Sequence, residues 1–209
     1  YITFDELNGS DIGAIVTSLP QDFKNVVSCS AYSQALLLPE PYFKGNYSLL
    51  QSIYDHPDQK NLHDAISEWQ MTAIYSIPLP TYEMLTKRFS SARFYHVYTP
   101  ALKIYNGFVA SDQVDIHFTT QYFRVLVKKN QKVQLAQTYS YKMPLDVVYF
   151  LLKICGEFQL DQTEVFVIVS GLIDQNSNLF NELNNYFLNL HFAHSPAYSL
   201  PENEHLHYY

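Results

Sequence analysis

Gln113–Ser170 reads QVDIHFTTQYFRVLVKKNQKVQLAQTYSYKMPLDVVYFLLKICGEFQLDQTEVFVIVS, and the fold is decided there. Three runs rich in β-branched and aromatic residues come first: Gln113–Thr119, Tyr122–Val127 and Lys132–Thr138. Short polar connections separate them, and Lys128-Lys129-Asn130 reads as the tight turn of a hairpin. Pro144 then opens a helix over Leu145–Phe158, apolar on most of its circumference and so expected to be buried on more than one side. Glu164–Ser170 (EVFVIVS) is an unbroken apolar run, the pattern of a strand inside a sheet with both faces covered. Beyond it, Leu179, Phe180, Leu183, Tyr186, Phe187 and Leu190 recur at helical spacing and predict a helix over Asn176–Leu190. The order is β-β-β-α-β-α, an antiparallel meander extended by a strand–helix unit.

Upstream the signal is mixed, and prolines punctuate it. Asp11–Leu19 predicts a short helix stopped by Pro20, with Ser10 or Asp11 as its N-cap. Asn25–Ala31 and Gln34–Leu38 read as strands, Glu40–Tyr54 as a helix, and His56–Lys60 as a loop. Met71–Ile77 is rich in strand formers. Pro80 then sits where a first helical turn tolerates proline, and Tyr82, Leu85 and Phe89 continue at helical spacing. Ala92–Tyr98 reads as a further strand, followed by a short helix from Pro100 to Tyr105.

Composition narrows the chemistry. The chain has 209 residues with 18 Tyr and 14 Phe but only 6 Gly, so a large core is available while backbone sites for φ > 0 or bare phosphate contact are few. Thirteen basic residues against 20 acidic ones give a net charge of −7, which disfavours nucleic acid as a partner because phosphate neutralisation dominates that binding. The longest greasy stretch, Leu145–Cys155, contains Asp146 and Lys153, so an integral membrane protein is not expected. Cys29 and Cys155 make no disulfide framework and read as buried, reduced cysteines of a cytoplasmic protein. The chain opens at Tyr1 without Met, and the expectation is a start inside a longer protein.

The β-β-β-α-β-α order of the second half is the ribonuclease-H-like arrangement, and it is also half of the actin/Hsp70-type ATPase fold. The elements from Ala73 to the helix at Pro100 resemble the closing part of a first such domain. In Ala35–Phe43 (ALLLPEPYF), Tyr75–Phe89 with His96 following, Gln137–Leu151 (QTYSYKMPLDVVYFL) and Val167–Gly171 (VIVSG), the sequence is similar to an uncharacterised Bacteroidetes family assigned an actin-like ATPase fold. The resemblance implies an α/β protein of two ribonuclease-H-like halves, residues 1–108 and 109–209. The first is expected to be incomplete and degenerate, with one or two further strands before Tyr1.

Active actin-like ATPases hold phosphates on two glycine-containing hairpins, each with Asp-x-Gly near its first strand, and hold adenosine on a loop with paired glycines. Close main-chain N–H groups cradle the anion, and a Cβ would block it. Asp11-Ile12-Gly13 spells the motif but has no apolar strand before it, so the first hairpin is read as absent or upstream. The second should fall at Val114-Asp115-Ile116, where His117 stands in place of glycine. No glycine occurs between Gly107 and Gly156, and the adenosine position, Ser170-Gly171-Leu172, has one glycine instead of two. Asp115, His117, Ser170 and Gly171 therefore mark what remains of a nucleotide cleft.

Other chemistry has weaker support. A metal-dependent nuclease would need converging carboxylates, and Asp115, Asp146 or Glu157, and Asp174 are the only reasonable set. Asp146 is equally explained as first-turn charge on a helix. His191, His194, His205 and His207, with Glu202 and Glu204, read as a polar terminal segment rather than a metal site. No Gly-x-Ser-x-Gly elbow or P-loop is present. The expectation is a cytoplasmic, non-catalytic binding or scaffold protein with no cofactor, partnered by another protein or by itself. The alternative is a nucleotide binder or weak ATPase, with ATP and magnesium at the cleft residues.

Overall fold

The computed structural model describes residues 9–54, 57–104 and 110–193. The chain divides into two compact units, Tyr1–Asn106 and Gly107–Tyr209. The first contains α1 (Gly9–Ser18), β1 (Val26–Ser30), β2 (Ala35–Pro39), α2 (Ser48–Ile53), β3 (Gln59–Ile66), β4 (Met71–Pro78), α3 (Leu79–Arg88), β5 (Ala92–His96) and α4 (Tyr98–Ile104). β4 is the middle strand of an antiparallel sheet ordered β2-β4-β3, and β1 pairs parallel with β5. The apolar content of MTAIYSI explains that central place, since Thr72–Ile77 are all buried.

Several upstream expectations are corrected. Lys60 belongs to β3, not to a loop, and Asp55 and His56 lie outside the described residues. The single helix expected over Glu40–Tyr54 is broken into a 3-10 turn, Glu40–Tyr42, and α2. Gly45 between them has φ +77°, a left-handed value that no α-helix continues through. Ser10 and Asp11 lie inside α1 instead of ahead of it. Cys29 is exposed, because alternate residues of the five-residue β1 face outward. Cys155 is buried.

The second unit contains β6 (Gln113–Phe118), β7 (Tyr122–Lys129), β8 (Lys132–Ser140), α5 (Pro144–Phe158), β9 (Phe166–Gly171), α6 (Asn178–Asn184) and β10 (Leu190–Phe192). The five strands lie in the order β10-β9-β6-β7-β8. β10, β9 and β6 run parallel, while β7 is antiparallel to both β6 and β8. The β7–β8 hairpin turns on Asn130 and Gln131, with φ +51° and +62°, one step later than expected because β7 runs on through Lys129. Two consecutive positive φ values are the signature of the type I′ turn that suits strand twist.

One face of this sheet carries the core. Val114, Ile116 and Phe118 of β6 and Val167 and Val169 of β9 pack with Val147, Leu151 and Ile154 of α5 and with Leu183. α5 packs against the sheet and against α6, as its broad apolar surface implies, but a further side is open: Leu145 and Tyr149 are 53% and 57% exposed. The helix expected over Asn176–Leu190 stops at Asn184, and its predicted tail enters β10. Asn189 fixes that change of direction: its side-chain amide donates to the carbonyls of Thr163 and Glu164, and its carbonyl accepts from Val167 N–H at 2.9 Å.

Candidate functional site

β6 sends alternate side chains to opposite faces, so Gln113, Asp115 and His117 share the face turned away from α5. Register then decides their neighbours. His117 stands between Arg124 on β7 and Ser170 on β9; Asp115 stands between Leu126 and Ile168; Gln113 stands between Lys128 and Phe166. The four residues singled out in the sequence, Asp115, His117, Ser170 and Gly171, are thus placed on the adjoining strands β6 and β9.

Their interactions are mutual. His117 Nδ1 lies 3.0 Å from Ser170 Oγ. Ser170 Oγ also lies 3.3 Å from the Ile116 carbonyl, within reach of a hydrogen bond from the hydroxyl. Asp115 is 4% exposed and both its oxygens accept from Gln113 Nε2, each at 3.0 Å. Burial pushes the Asp115 carboxyl up to about 7, against the opposing pull of the Gln113 hydrogen bonds and then of Arg124 and Lys128. Gln113 Oε1 is buried and finds no hydrogen-bond partner in the described structure.

Gly171 ends β9 at φ +80°, and a Cβ there would overlap the carbonyl oxygen of Phe118. Leu172 N–H donates to that same oxygen at 2.9 Å. The β6–β7 tip is closed by its own bonds. Thr119 N–H donates to the Tyr122 carbonyl at 2.8 Å, Tyr122 N–H to Thr119 Oγ1 at 3.2 Å, and Tyr141 OH to the Thr119 carbonyl at 2.8 Å.

The first unit holds a polar cluster that sequence reading missed. Asp64 on β3 is 6% exposed and accepts from Tyr75 OH (3.1 Å), His96 N–H (2.8 Å) and Thr99 Oγ1 (2.6 Å). Burial raises its carboxyl all the same, outweighing those bonds. His96, fully buried, accepts from Tyr98 N–H at Nδ1 (3.3 Å), so its Nε2–H donates to the Tyr32 carbonyl (3.0 Å). The only local hint was inward alternation of Leu62, Asp64 and Ile66, disguised by Lys60, Asn61 and His63.

The nuclease set does not converge. Asp115 lies on the sheet face opposite α5, whereas Asp146 on α5 accepts from the N–H groups of Lys142 and Met143. Asp174 accepts from Asn176 N–H. Among the described residues no group of three or more His, Cys, Asp or Glu side chains is placed to hold a metal. His191 sits on β10 with its ring stacked on Phe166, centroids 4.4 Å apart. His194, His205, His207, Glu202 and Glu204 lie outside the described residues.

A family model described as "Protein of unknown function (DUF3822)" matches residues 16–190, most of the chain. The chain belongs to that family. A crystal structure from Bacteroides thetaiotaomicron, described as a protein with actin-like ATPase fold and unknown function, superposes on this DUF3822 chain with a TM-score of 0.78 at 16% identity, covering 88% of this chain and 75% of that one. The PilM–PilN type IV pilus biogenesis complex gives a TM-score of 0.56 at 8% identity, covering 88% and 74%. The DUF3822 chain therefore has the actin-like ATPase fold, a conclusion about architecture alone. No curated protein matches it. Among the described residues, no helix of this DUF3822 chain is long and apolar enough to cross a membrane.

Proposed function

We propose that this chain is a non-catalytic binding or scaffold protein, an actin-like fold whose phosphate-holding positions serve internal packing. The observation that carries the reading is the use made of residues at the β6 and β9 strand ends. His117 takes the glycine position of the second hairpin and bonds to Ser170, and Gly171 is occupied by the Phe118 backbone. The Thr119 and Tyr122 amides, which a phosphate would need, bond within their own turn. Asp115 is likewise engaged by Gln113 and not presented to a cation.

The partner in this reading is another protein or a second copy, since a net charge of −7 opposes nucleic acid. A neighbour of the same fold is found in a complex, PilM–PilN, which is compatible with a fold used for assembly. A cytoplasmic setting suits the free Cys29 and Cys155.

One observation favours the alternative of a weak nucleotide binder: Asp115, His117, Ser170 and Gly171 do adjoin one another on paired strands. Titration calorimetry with Mg-ATP separates the two. Absence of saturable heat at millimolar nucleotide is the expected result, and a saturable isotherm would replace the scaffold reading with the nucleotide one.

A further inference from the structure

Gln113 and Asp115 stand two residues apart on β6, the middle strand of the sheet, and so share one face. Both are buried, at 0% and 4% exposure. They meet through one group only: Gln113 Nε2 lies 3.0 Å from each Asp115 oxygen. That arrangement suits an ionised carboxylate, which has nothing to donate. It leaves Gln113 Oε1 buried and without a partner among the described residues, although buried acceptors are nearly always bonded. The pair thus carries two costs together, a carboxylate out of water and a carbonyl without a donor.

One proton removes both. Taken from solvent onto an Asp115 oxygen, it makes the O–H donor that Gln113 Oε1 lacks. A turn of the carboxamide then joins the side chains twice. Asp115 O–H donates to Gln113 Oε1, and Gln113 Nε2–H donates to the other Asp115 oxygen. The charges on this face work against the proton: Arg124 and Lys128 on β7 lower the affinity of Asp115 for it. His117 on β6 and His191 on β10 share the face, and Asp112 lies near Lys128. β9 sets Ile168 beside Asp115 and adds no charge there. Burial outweighs the cations and holds the carboxyl up to about 7, so both states are reached near neutral pH.

We propose that Gln113 and Asp115 form a proton switch: a doubly bonded acid–amide ring when Asp115 holds a proton, and a carboxylate held by Nε2 alone when it does not. The switch goes beyond the scaffold reading and does not depend on it. It puts a pH-responsive pair on the strand that also carries His117.

Nuclear magnetic resonance on the isotope-labelled full chain, titrated from about pH 5 to about pH 9, tests it. The Asp115 carboxyl carbon and the Gln113 side-chain carbonyl carbon and amide protons are expected to move together, with one common midpoint near 7. The wild type alone supplies this measurement, so it does not depend on a variant folding. Asp115→Asn should abolish the Gln113 step, whereas His191→Gln, at an exposed side chain, should leave it in place. Infrared difference spectra should show a protonated-carboxyl band that disappears on raising the pH and is missing from Asp115→Asn. An Asp115 carboxyl ionised throughout would overturn the proposal. So would a Gln113 carboxamide that stays still while Asp115 titrates, the result expected if a buried water satisfies Oε1. A Gln113 step that survives Asp115→Asn would assign the change to a histidine and overturn it as well.

Discussion

Gly171 is packed so closely on the Phe118 backbone that any β-carbon at position 171 would overlap the Phe118 carbonyl oxygen. That oxygen already accepts from Leu172 N–H, so it cannot move aside without losing a bond. The glycine that the sequence offers as part of a nucleotide loop is therefore needed to let β9 finish beside β6. Its presence is no argument for a ligand.

Gly171→Ala is accordingly expected to destabilise the chain by about 3 kcal/mol or more, through a strained positive φ together with backbone overlap. A fall in thermal midpoint of roughly 6–12 °C follows from the size scaling. Differential scanning calorimetry checks this, and a melt within a degree or two of wild type would mean that β9 can relax away from Phe118. Substitution here would also be a poor probe of nucleotide binding, since lost structure would mimic lost affinity.

Asp115 gives the chain a pH dependence with a definite sign. Its folded-state pKa of about 7 stands above the ordinary 3.8, so the native state holds the proton more tightly than the unfolded state does. The stability it contributes is present in full below about pH 4 and is lost as pH rises through about 7. The difference amounts to at most roughly 4 kcal/mol. Asp115→Asn should flatten the stability profile between pH 4 and 7, and raise the urea midpoint at pH 8, because the amide needs no proton to stay neutral. An Asn variant that keeps the wild-type profile would assign the pH dependence elsewhere.

The second unit was legible because its strands carry their burial in their own residues. EVFVIVS has no polar interruption, and the alternation of Val114, Ile116 and Phe118 faces a helix that Pro144 announces. β3 was not legible, because what makes it a strand is remote. Asp64 is buried only since Tyr75, His96 and Thr99 come from three other elements to meet it. β10 is three residues long, and its pairing depends on Asn189. Of the candidate site, the positions were readable and the reasons were not. His117 signalled a missing glycine, but Ser170 as its partner follows from parallel register. Leu145 and Tyr149 of α5 were visible as apolar residues and misread as core, since periodicity gives a face without saying what lies against it.

Arg88 ties α1 to α3. Its guanidinium donates to the carbonyls of Thr17 and Leu19 just where α1 ends and would otherwise leave carbonyls unpaired. Arg88→Ala should speed amide hydrogen exchange across residues 12–19 while leaving β6 to β9 protected as before. Lys at this position restores the charge but lacks the planar fork, so only partial protection is expected. Uniform loss of protection across the chain would show that Arg88 supports more than this helix.

Asp64 makes the sharpest prediction, because its carboxylate is the common acceptor of three groups in a buried site. Asp64→Ala strands the Tyr75 and Thr99 hydroxyls and the His96 amide together, and should cost about 3–5 kcal/mol. Thr99→Val removes one donor at similar volume and should cost about 1 kcal/mol in the wild type. In the Asp64→Ala background the Thr99 hydroxyl has already lost its acceptor, so Thr99→Val there should cost nothing or even restore stability. The double-mutant cycle is therefore expected to show a coupling on the order of 1 kcal/mol or more. Emission of Trp69, the sole tryptophan, follows the transition in the same unit, since its indole N–H donates to the Leu102 carbonyl of α4 at 3.0 Å. Simple additivity of the two substitutions would show that the three donors do not depend on the one carboxylate.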